Sequence, residues 1–490
     1  MKLVGARANP ERAMPTNSRR KPEVLDMPLL LDGTGSQSGR LHAGLRAAIL
    51  GGRLAPGLRL PSSRDLAAQL GLRRNAVVIA YEQLLSDGLA EARVGAGTFV
   101  AARVPRGPGA AAPAGAAVPI PGQAPFALGR TQADPALLRQ FGRLIRRHLT
   151  ADAAHFGYGD PRGAEALRQA IAVHLAATRG IACDPGRVLV TSGTQQALRL
   201  CAEVLLCPGD AVWMEDPGYP SARRILEACG ARLVPVPVDR HGLDAEEGRR
   251  QAPAARLAYV TPSHQFPTGV TMSMERRLAL LDWAREAGSW VVEDDYDSEF
   301  RYAGPPLTAL AGIDARERVI YLGTFSKTLF PGLRTGFAVL PGELLEKVTA
   351  ARLVSDRFPP SLTGEALAEL IRDGGFAAHV RRMRSRYRVA RDLLAELLPR
   401  ASDGLLRVAV PDQGLSLLAL LPEDWPPGTA ARIRAAAGIE GWLLSETRLA
   451  QQGPDGFVLG FSGHSLPALR RAAERLGEAV RAWSPGAAAA

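Results

Sequence analysis

The chain has 490 residues, 46% of them apolar and 22% charged, with 60 basic residues against 49 acidic ones and a formal charge of +11 at pH 7. This length suits two or three domains, and the apolar share supports large packed cores rather than a disordered or fibrous chain. The basic balance favours nucleic acid or anionic ligands as partners, and the lack of an apolar leader or of an apolar run long enough to span a bilayer argues against secretion and membrane insertion.

In chain order, residues 1–35 read as a polar, basic tail. Leu41-His-Ala-Gly-Leu-Arg-Ala-Ala-Ile-Leu50 has helical apolar spacing and stops at Gly51-Gly52. Ser62 then caps a short helix through Leu70, with Asp65 three residues on. Gly71-Leu72 makes the turn, and Arg73-Arg74-Asn75 opens a second amphipathic helix that runs to about Leu85. Gly95-Ala-Gly97-Thr98-Phe99-Val100 closes a small hairpin. Helix, helix–turn–helix and a glycine-tipped hairpin over 36–100 form a winged helix-turn-helix, whose second paired helix enters the major groove with its first residues at base edges. Arg64, Arg73, Arg74, Asn75, Gly97 and Thr98 are the candidate DNA contacts: arginine suits guanine and asparagine suits adenine through paired hydrogen bonds. The segment carries eight arginines against four acids, a net +4 that fits phosphate contact. Leu60-Pro-Ser-Ser-Arg-Asp-Leu-Ala67, Ala80-Tyr81 and the Gly95–Val100 wing resemble the GntR family of bacterial regulators. Arg73 and Ala76 stand where that family usually has serine and threonine. The first change removes an N-cap worth about 1 kcal/mol; the second removes one expected DNA contact.

Residues 101–125 are an Ala/Pro/Gly linker. Beyond it, three segments carry chemistry. Val188-Leu-Val-Thr191 reads as a strand running into Ser192-Gly193-Thr194-Gln195-Gln196, which opens a helix. Trp290-Val-Val-Glu-Asp294-Asp-Tyr296 ends a second apolar strand in acids and a tyrosine. Arg318-Val-Ile-Tyr-Leu-Gly-Thr324-Phe-Ser326-Lys327 ends a third in a small-residue turn bearing one lysine, followed by Arg334. Glu293 and Asp295 read as a solvated strand end. Cys201 and Cys207, six apart, read as core residues of one apolar helix in a reducing cytosol. The four cysteines and eight histidines show no metal-ligand spacing. From about Arg352 the chain is helix-rich, with one long arginine-studded helix over 376–398, and residues 483–490 form a tail.

The three segments suit pyridoxal 5'-phosphate. Its aldehyde condenses with a lysine held partly unprotonated. Its phosphate favours amides at a helix N-terminus, its ring nitrogen a carboxylate, and its phenolate oxygen a tyrosine donor. Residues 126–482 resemble the fold-type I aminotransferases. The resemblance implies an α/β fold with a mostly parallel sheet and a small C-terminal α+β subdomain from about 352. It makes Lys327 the Schiff-base lysine, Asp294 the ring-nitrogen partner and Tyr296 the phenolate donor. Gly193 and Thr194 become phosphate ligands with Gln195 close by, and Thr324, Ser326 and Arg334 complete the phosphate cup, the last through paired hydrogen bonds. It also has Tyr219 stacking on the ring and Tyr158 reaching in from a partner subunit. Half-buried packing is the competing reading for both of these tyrosines.

Reader plus aminotransferase-like module resembles the MocR subfamily of GntR regulators, as do Tyr259-Val-Thr-Pro-Ser-His-Gln-Phe-Pro-Thr-Gly269 and Glu293-Asp-Asp-Tyr-Asp-Ser-Glu-Phe300. That implies a cytoplasmic bacterial regulator of operator DNA, a head-to-tail homodimer, and a module that senses the cofactor or an amine or amino-acid effector. A working aminotransferase with an accessory DNA-binding domain is the alternative. One comparison separates them. Aminotransferases place an arginine on a late strand to clamp the substrate carboxylate; here Val458 aligns with it, with Arg223, Arg224 and Arg448 as substitutes. The asparagine that precedes Pro-Thr-Gly is replaced by Phe266, with His264 and Gln265 adjacent.

Overall fold

The structure, a computed structural model, describes residues 35–103, 124–151, 157–450 and 453–483. The tail over 1–35, the linker over 101–125 and the tail over 483–490 therefore lie almost wholly outside the described residues. Two compact units divide between Pro119 and Ile120.

The first unit runs α1 (Gln37–Leu50), α2 (Ser63–Leu70), α3 (Arg74–Ser86), β1 (Ala90–Arg93) and β2 (Gly97–Val100). Ser36 and Ser62 start α1 and α2 by accepting from Gly39 N and Asp65 N, each at 3.2 Å, which satisfies amides that a helix start leaves open. Leu41, Leu45 and Ile49 recur at four-residue spacing on α1 and pack with Leu66, Val77, Ala80 and Leu84 in one core. Each such leucine contributes roughly 1.5–3 kcal/mol by its burial. The Tyr81 hydroxyl donates to the Pro61 carbonyl at 2.9 Å and ties α3 to the start of α2. β1 and β2 pair antiparallel from Ala90↔Val100 to Arg93↔Gly97. The winged helix-turn-helix read from the sequence is the fold found.

The second unit begins with α4 (Pro135–Ala151) and α5 (Glu165–Arg179). It continues β3 (Val188–Thr191), α6 (Thr194–Leu205), β4 (Ala211–Asp216), α7 (Pro220–Ala228), β5 (Arg232–Asp239), β6 (Gly242–Leu243), α8 (Ala245–Gln251), β7 (Leu257–Val260), α9 (Met274–Ala287), β8 (Trp290–Asp295), α10 (Leu310–Ile313), β9 (Val319–Thr324) and β10 (Gly336–Val339). These strands form one sheet in the order β3-β10-β9-β8-β7-β4-β5-β6. β5, β4, β7, β8 and β9 are mutually parallel, while β10 runs against both its neighbours and β6 against β5. Strand alternation builds two cores from the same strands. Met214, Tyr259, Val292 and Ile320 face the side covered by α6 and α7. Trp213, Ala258, Val291 and Val319 face the other, where Trp213 stacks on Trp283 of α9 at 3.8 Å.

The chain closes with α11 (Gly342–Ser355), α12 (Ser361–Arg372), α13 (Gly375–Ala401), β11 (Arg407–Ala409), β12 (Ser416–Leu420), α14 (Thr429–Ala437), β13 (Trp442–Leu443), β14 (Gly456–Gly460) and α15 (Leu466–Ala482). The four strands make an antiparallel sheet, β11-β12-β14-β13, and α13 is the long helix expected over 376–398. This is the α/β module with a small α+β subdomain that the sequence implied. Among the described residues, no helix is long and apolar enough to cross a membrane.

Two expectations fail. Glu293 and Asp295 are buried, at 0% and 6% exposure. Glu293 accepts from the Leu310 and Ala311 amides at the start of α10, each at 2.8 Å. Asp295 pairs with Arg179 at 2.7 Å and accepts from the Tyr321 hydroxyl at 2.6 Å. These partners all lie 17 or more positions away in sequence, which is why the strand end looked solvated. Cys201 is buried on α6, but Cys207 falls past the end of that helix and is exposed.

Candidate functional site

The carboxyl ends of β3, β4, β7, β8 and β9 open on one cavity of about 210 Å³, the place where open α/β sheets bind ligands. It is lined by Gly193, Thr194, Gln195, Tyr219, Asp294, Tyr296, Thr324, Ser326, Lys327 and Arg334. Ten of the eleven positions picked out for the cofactor therefore converge. The eleventh, Tyr158, is 82% exposed and lies outside its own chain's cavity. Its ring meets Phe358 edge-on at 5.8 Å and lies beneath the Arg357 guanidinium.

Lys327 follows the turn after β9. Burial pushes its amine below the usual lysine range, a shift opposed by Asp297 and Asp294 and reinforced by Arg334. A Cβ added to Gly129 would stand 2.5 Å from Lys327 Nζ, and Gly129 holds φ +78°, so only glycine leaves that space open. Asp294 sits at the end of β8, where burial pushes its carboxyl up to about 7 despite the hydrogen bond from Tyr259. The Tyr259 hydroxyl donates to Asp294 Oδ2 at 2.6 Å, whereas Oδ1 is buried with no partner. Glu215, also buried, is raised to about 7 by desolvation even though it accepts from the Thr261 amide and hydroxyl and from Gln265.

At the other end, Gly193 precedes α6 at φ +118°, and no side chain caps the helix. The first amides of α6 thus stay open at the positive end of its dipole. The Arg334 guanidinium lies beside Gly193: a Cβ there would be 3.4 Å from Nη2. Arg334 itself is held in the left-handed region at φ +49°, a strain that a ligand-binding role would explain. Ser326 Oγ is buried without a partner, and the Ser326 amide donates to Thr324 Oγ1 at 3.1 Å. Open amides, a guanidinium and an unpaired hydroxyl form a donor set for an anion.

Tyr296 lines the cavity, with its hydroxyl 3.2 Å from the His264 carbonyl, and His264 Nδ1 is 3.0 Å from Asp297. For Tyr296 to donate to a bound ring, that contact must be exchanged. Tyr219 caps α7 and lies nearly parallel to Trp442. Sequence reasoning missed Gly129, Tyr259, Asp297 and Trp442. Tyr259 was legible only through strand register: it pairs with Val292, two residues before Asp294. Val458 is fully buried behind Phe266, and none of Arg223, Arg224 and Arg448 lines the cavity.

In the first unit, Arg64, Arg73, Arg74 and Asn75 are exposed, and so is Gly97 at the wing tip, with Thr98 half-buried beside it. Arg73 occupies the N-cap of α3 and makes no side-chain cap bond. Arg74 Nε reaches Ser63 Oγ of α2 at 3.4 Å. Ala76 is buried, so its side chain does not belong to this exposed set.

Residues 133–451 match the family described as aminotransferase class I and II, and residues 37–100 the gntR family of bacterial regulatory proteins. The chain is 37% identical over 464 residues to the probable rhizopine catabolism regulatory protein MocR of Rhizobium meliloti, covering 90% of this chain and 93% of that one. It is 31% identical to the pyridoxine biosynthesis transcriptional regulator PdxR of Corynebacterium glutamicum, over 89% of this chain and 94% of that one. Its second unit resembles the α-aminoadipate aminotransferase LysN of Thermus thermophilus, solved with N-(5'-phosphopyridoxyl)-L-leucine, at a TM-score of 0.67 and 28% identity over 73% of this chain and 92% of that one. Fold and matches together define an aminotransferase class I and II module joined to a GntR-type DNA-binding reader. The chain belongs to the MocR-type branch of the GntR transcriptional regulators.

Proposed function

We propose that this regulator senses an amine through pyridoxal phosphate held at Lys327 and passes the result to operator DNA. The observation that carries the reading is the pairing of a buried, pKa-lowered Lys327 with Asp294, whose Oδ1 lacks a partner. Pyridoxal phosphate, when bound, supplies an aldehyde that condenses reversibly with primary amines. The chain's own groups fit it. The α6 amides, Ser326 and Arg334 would take its phosphate, and Asp294, steadied by Tyr259, would hold a proton on the ring nitrogen. Lys327 would keep its amine available by burial, and Tyr219 would cover the ring.

A sensor is favoured over a working aminotransferase because, among the described residues, Arg334 supplies the only guanidinium lining the cavity. It stands at the anion end, so a substrate carboxylate has no clamp. The exposed Tyr158 supports a head-to-tail homodimer in which this residue completes the partner's site. Two readers would then meet two half-sites whose spacing follows dimer geometry. This reading places the protein in the bacterial cytoplasm.

Absorbance tests the site directly. Full-length protein incubated with pyridoxal phosphate and dialysed should carry a visible band, and Lys327→Ala should lack it. Wild-type protein that stays colourless would overturn the assignment.

A further inference from the structure

The part of the cavity formed by aromatic residues has a chemistry that the reading above leaves unassigned. Tyr219, Phe266 and Trp442 meet there: Phe266 lies edge-on to Tyr219 at 5.5 Å and to Trp442 at 5.7 Å, and Tyr219 and Trp442 are parallel within 12° at 6.4 Å. Behind Phe266, Leu418, Leu444 and Val458 form one buried cluster with it, and Leu128 packs against them. The wall is apolar and ring-rich, and it carries no cation.

The cavity's charges are distributed to match. Among the described residues, its lining cations are Lys327 and Arg334, and its lining carboxylates are Asp294 and Asp297. Other arginines are engaged outside it. Arg223 donates to the Arg448 carbonyl at 3.0 Å, Arg448 donates to the carbonyls of Gly453 and Pro454, and Arg179 pairs with Asp295. Arg130 follows Gly129 in sequence, but its Cβ lies over Gly463 and the residue does not line the cavity. A ligand carboxylate placed against the ring wall would lose its hydration and meet no counter-charge, whereas an uncharged ring or chain would meet matching surface.

We infer that the effector is a primary amine without a carboxylate, of the arylalkylamine class. Its apolar body lies among Tyr219, Phe266 and Trp442, and its amino group is directed to the position of Lys327. The inference rests on the cofactor reading given above, since it is the aldehyde chemistry at Lys327 that selects an amine.

Matched pairs of ligands test it. Dialysed, cofactor-loaded full-length protein is titrated with phenethylamine against phenylalanine and with tyramine against tyrosine, following the visible band and the intrinsic tryptophan fluorescence. Each amine should reach half-saturation at a concentration roughly tenfold or more below that of its amino acid, the scale on which a site rejects a group it cannot pair. Trp442→Ala should raise the half-saturation point of phenethylamine about tenfold, and Trp442→Phe should recover most of the loss. Amino acids that bind as tightly as their amines, or a coloured protein that responds to neither amine, would overturn the ligand class while leaving the cofactor reading intact. Protein that never acquires the visible band would remove both, so the two failures are told apart by the spectrum before any ligand is added.

Discussion

The Tyr259 hydroxyl stands 2.6 Å from one oxygen of Asp294 and leaves the other oxygen buried and unpaired. One bond is enough to orient the carboxylate but not to offset its burial, so its pKa rises to about 7 from an ordinary 3.8. A cationic ring nitrogen at Oδ1 would supply the missing partner and favour the ionised form.

That imbalance gives the cofactor-free protein a defined pH dependence. A carboxyl whose folded-state pKa is raised binds its proton more tightly folded than unfolded. Folding is therefore unpenalised below about pH 4, and stability falls as pH rises through about 7. The full shift corresponds to roughly 4 kcal/mol, an upper bound once local relaxation is allowed. Asp294→Asn should therefore make the fall of the cofactor-free melting temperature between pH 5 and 8 shallower and weaken cofactor binding. The remaining slope is carried by Glu215 and Glu299, whose carboxyls burial raises to about 7 and about 8. Thermal unfolding at the two pH values checks the first effect and titration of the visible band the second. A variant that keeps the wild-type pH slope would show that Asp294 is not its source.

Gly129 makes a second test, because it acts only through the space it leaves. Alanine there would bring a methyl to 2.5 Å from Lys327 Nζ and impose a left-handed backbone cost of roughly 1 kcal/mol. Gly129→Ala should fold with a small loss of stability yet lose most of its cofactor uptake. Retention of wild-type uptake by a folded variant would show that the flexible end of Lys327 swings clear of the added methyl and that Gly129 is not needed to keep the space open.

In the reader, Arg73 and Arg74 separate stability from recognition. Arg73 holds an N-cap position without a cap bond. Arg73→Ser should raise the stability of the reader by about 1 kcal/mol while weakening DNA binding, if the guanidinium meets phosphate or base. Arg74→Ala should cost roughly 1–3 kcal/mol of operator affinity and relax preference at one base pair if it reads guanine. Binding to operator variants at two salt concentrations checks both. A uniform loss across sequences with a shallower salt slope would make Arg74 a phosphate contact instead.

Some parts of the site are written in the local sequence and others only in the fold. Lys327, Asp294 and the Gly193–Gln195 turn were legible because each ends an apolar strand in residues that a strand does not need. Ser62 and the Gly95–Gly97 wing were legible because capping and tight turns are local. Glu293 and Asp295 were misread because what buries them, the start of α10 and Arg179, comes from distant segments. Tyr259 and Trp442 were missed for the same reason: strand register brings the first to Asp294, and the small subdomain brings the second to Tyr219. Cys207 was misplaced by a helix end that comes two residues before it.

The last prediction separates a sensor from a catalyst. An aminotransferase must hold the substrate's α-hydrogen along the π-system of the ring, and orientation of that kind supplies up to about 7–11 kcal/mol of a barrier. The usual means is a bidentate clamp on the substrate carboxylate. Here Val458, which the resemblance in sequence aligns with that clamp, is an apolar residue buried in one cluster with Phe266, and Arg334 lies beside Gly193 at the start of α6. Common amino acids should therefore transfer their amino group to the cofactor many-fold more slowly than with a dedicated aminotransferase, as followed by single-turnover absorbance. A bound effector should instead change operator affinity by about 1–3 kcal/mol, the ordinary size of an allosteric coupling. The same coupling must appear in reverse, with operator DNA shifting the effector's half-saturation point by the same factor, because linkage is reciprocal. Measuring both directions on one preparation checks the claim. Turnover at ordinary enzymatic rates, with operator affinity indifferent to the effector, would make the module a catalyst and the reader its accessory.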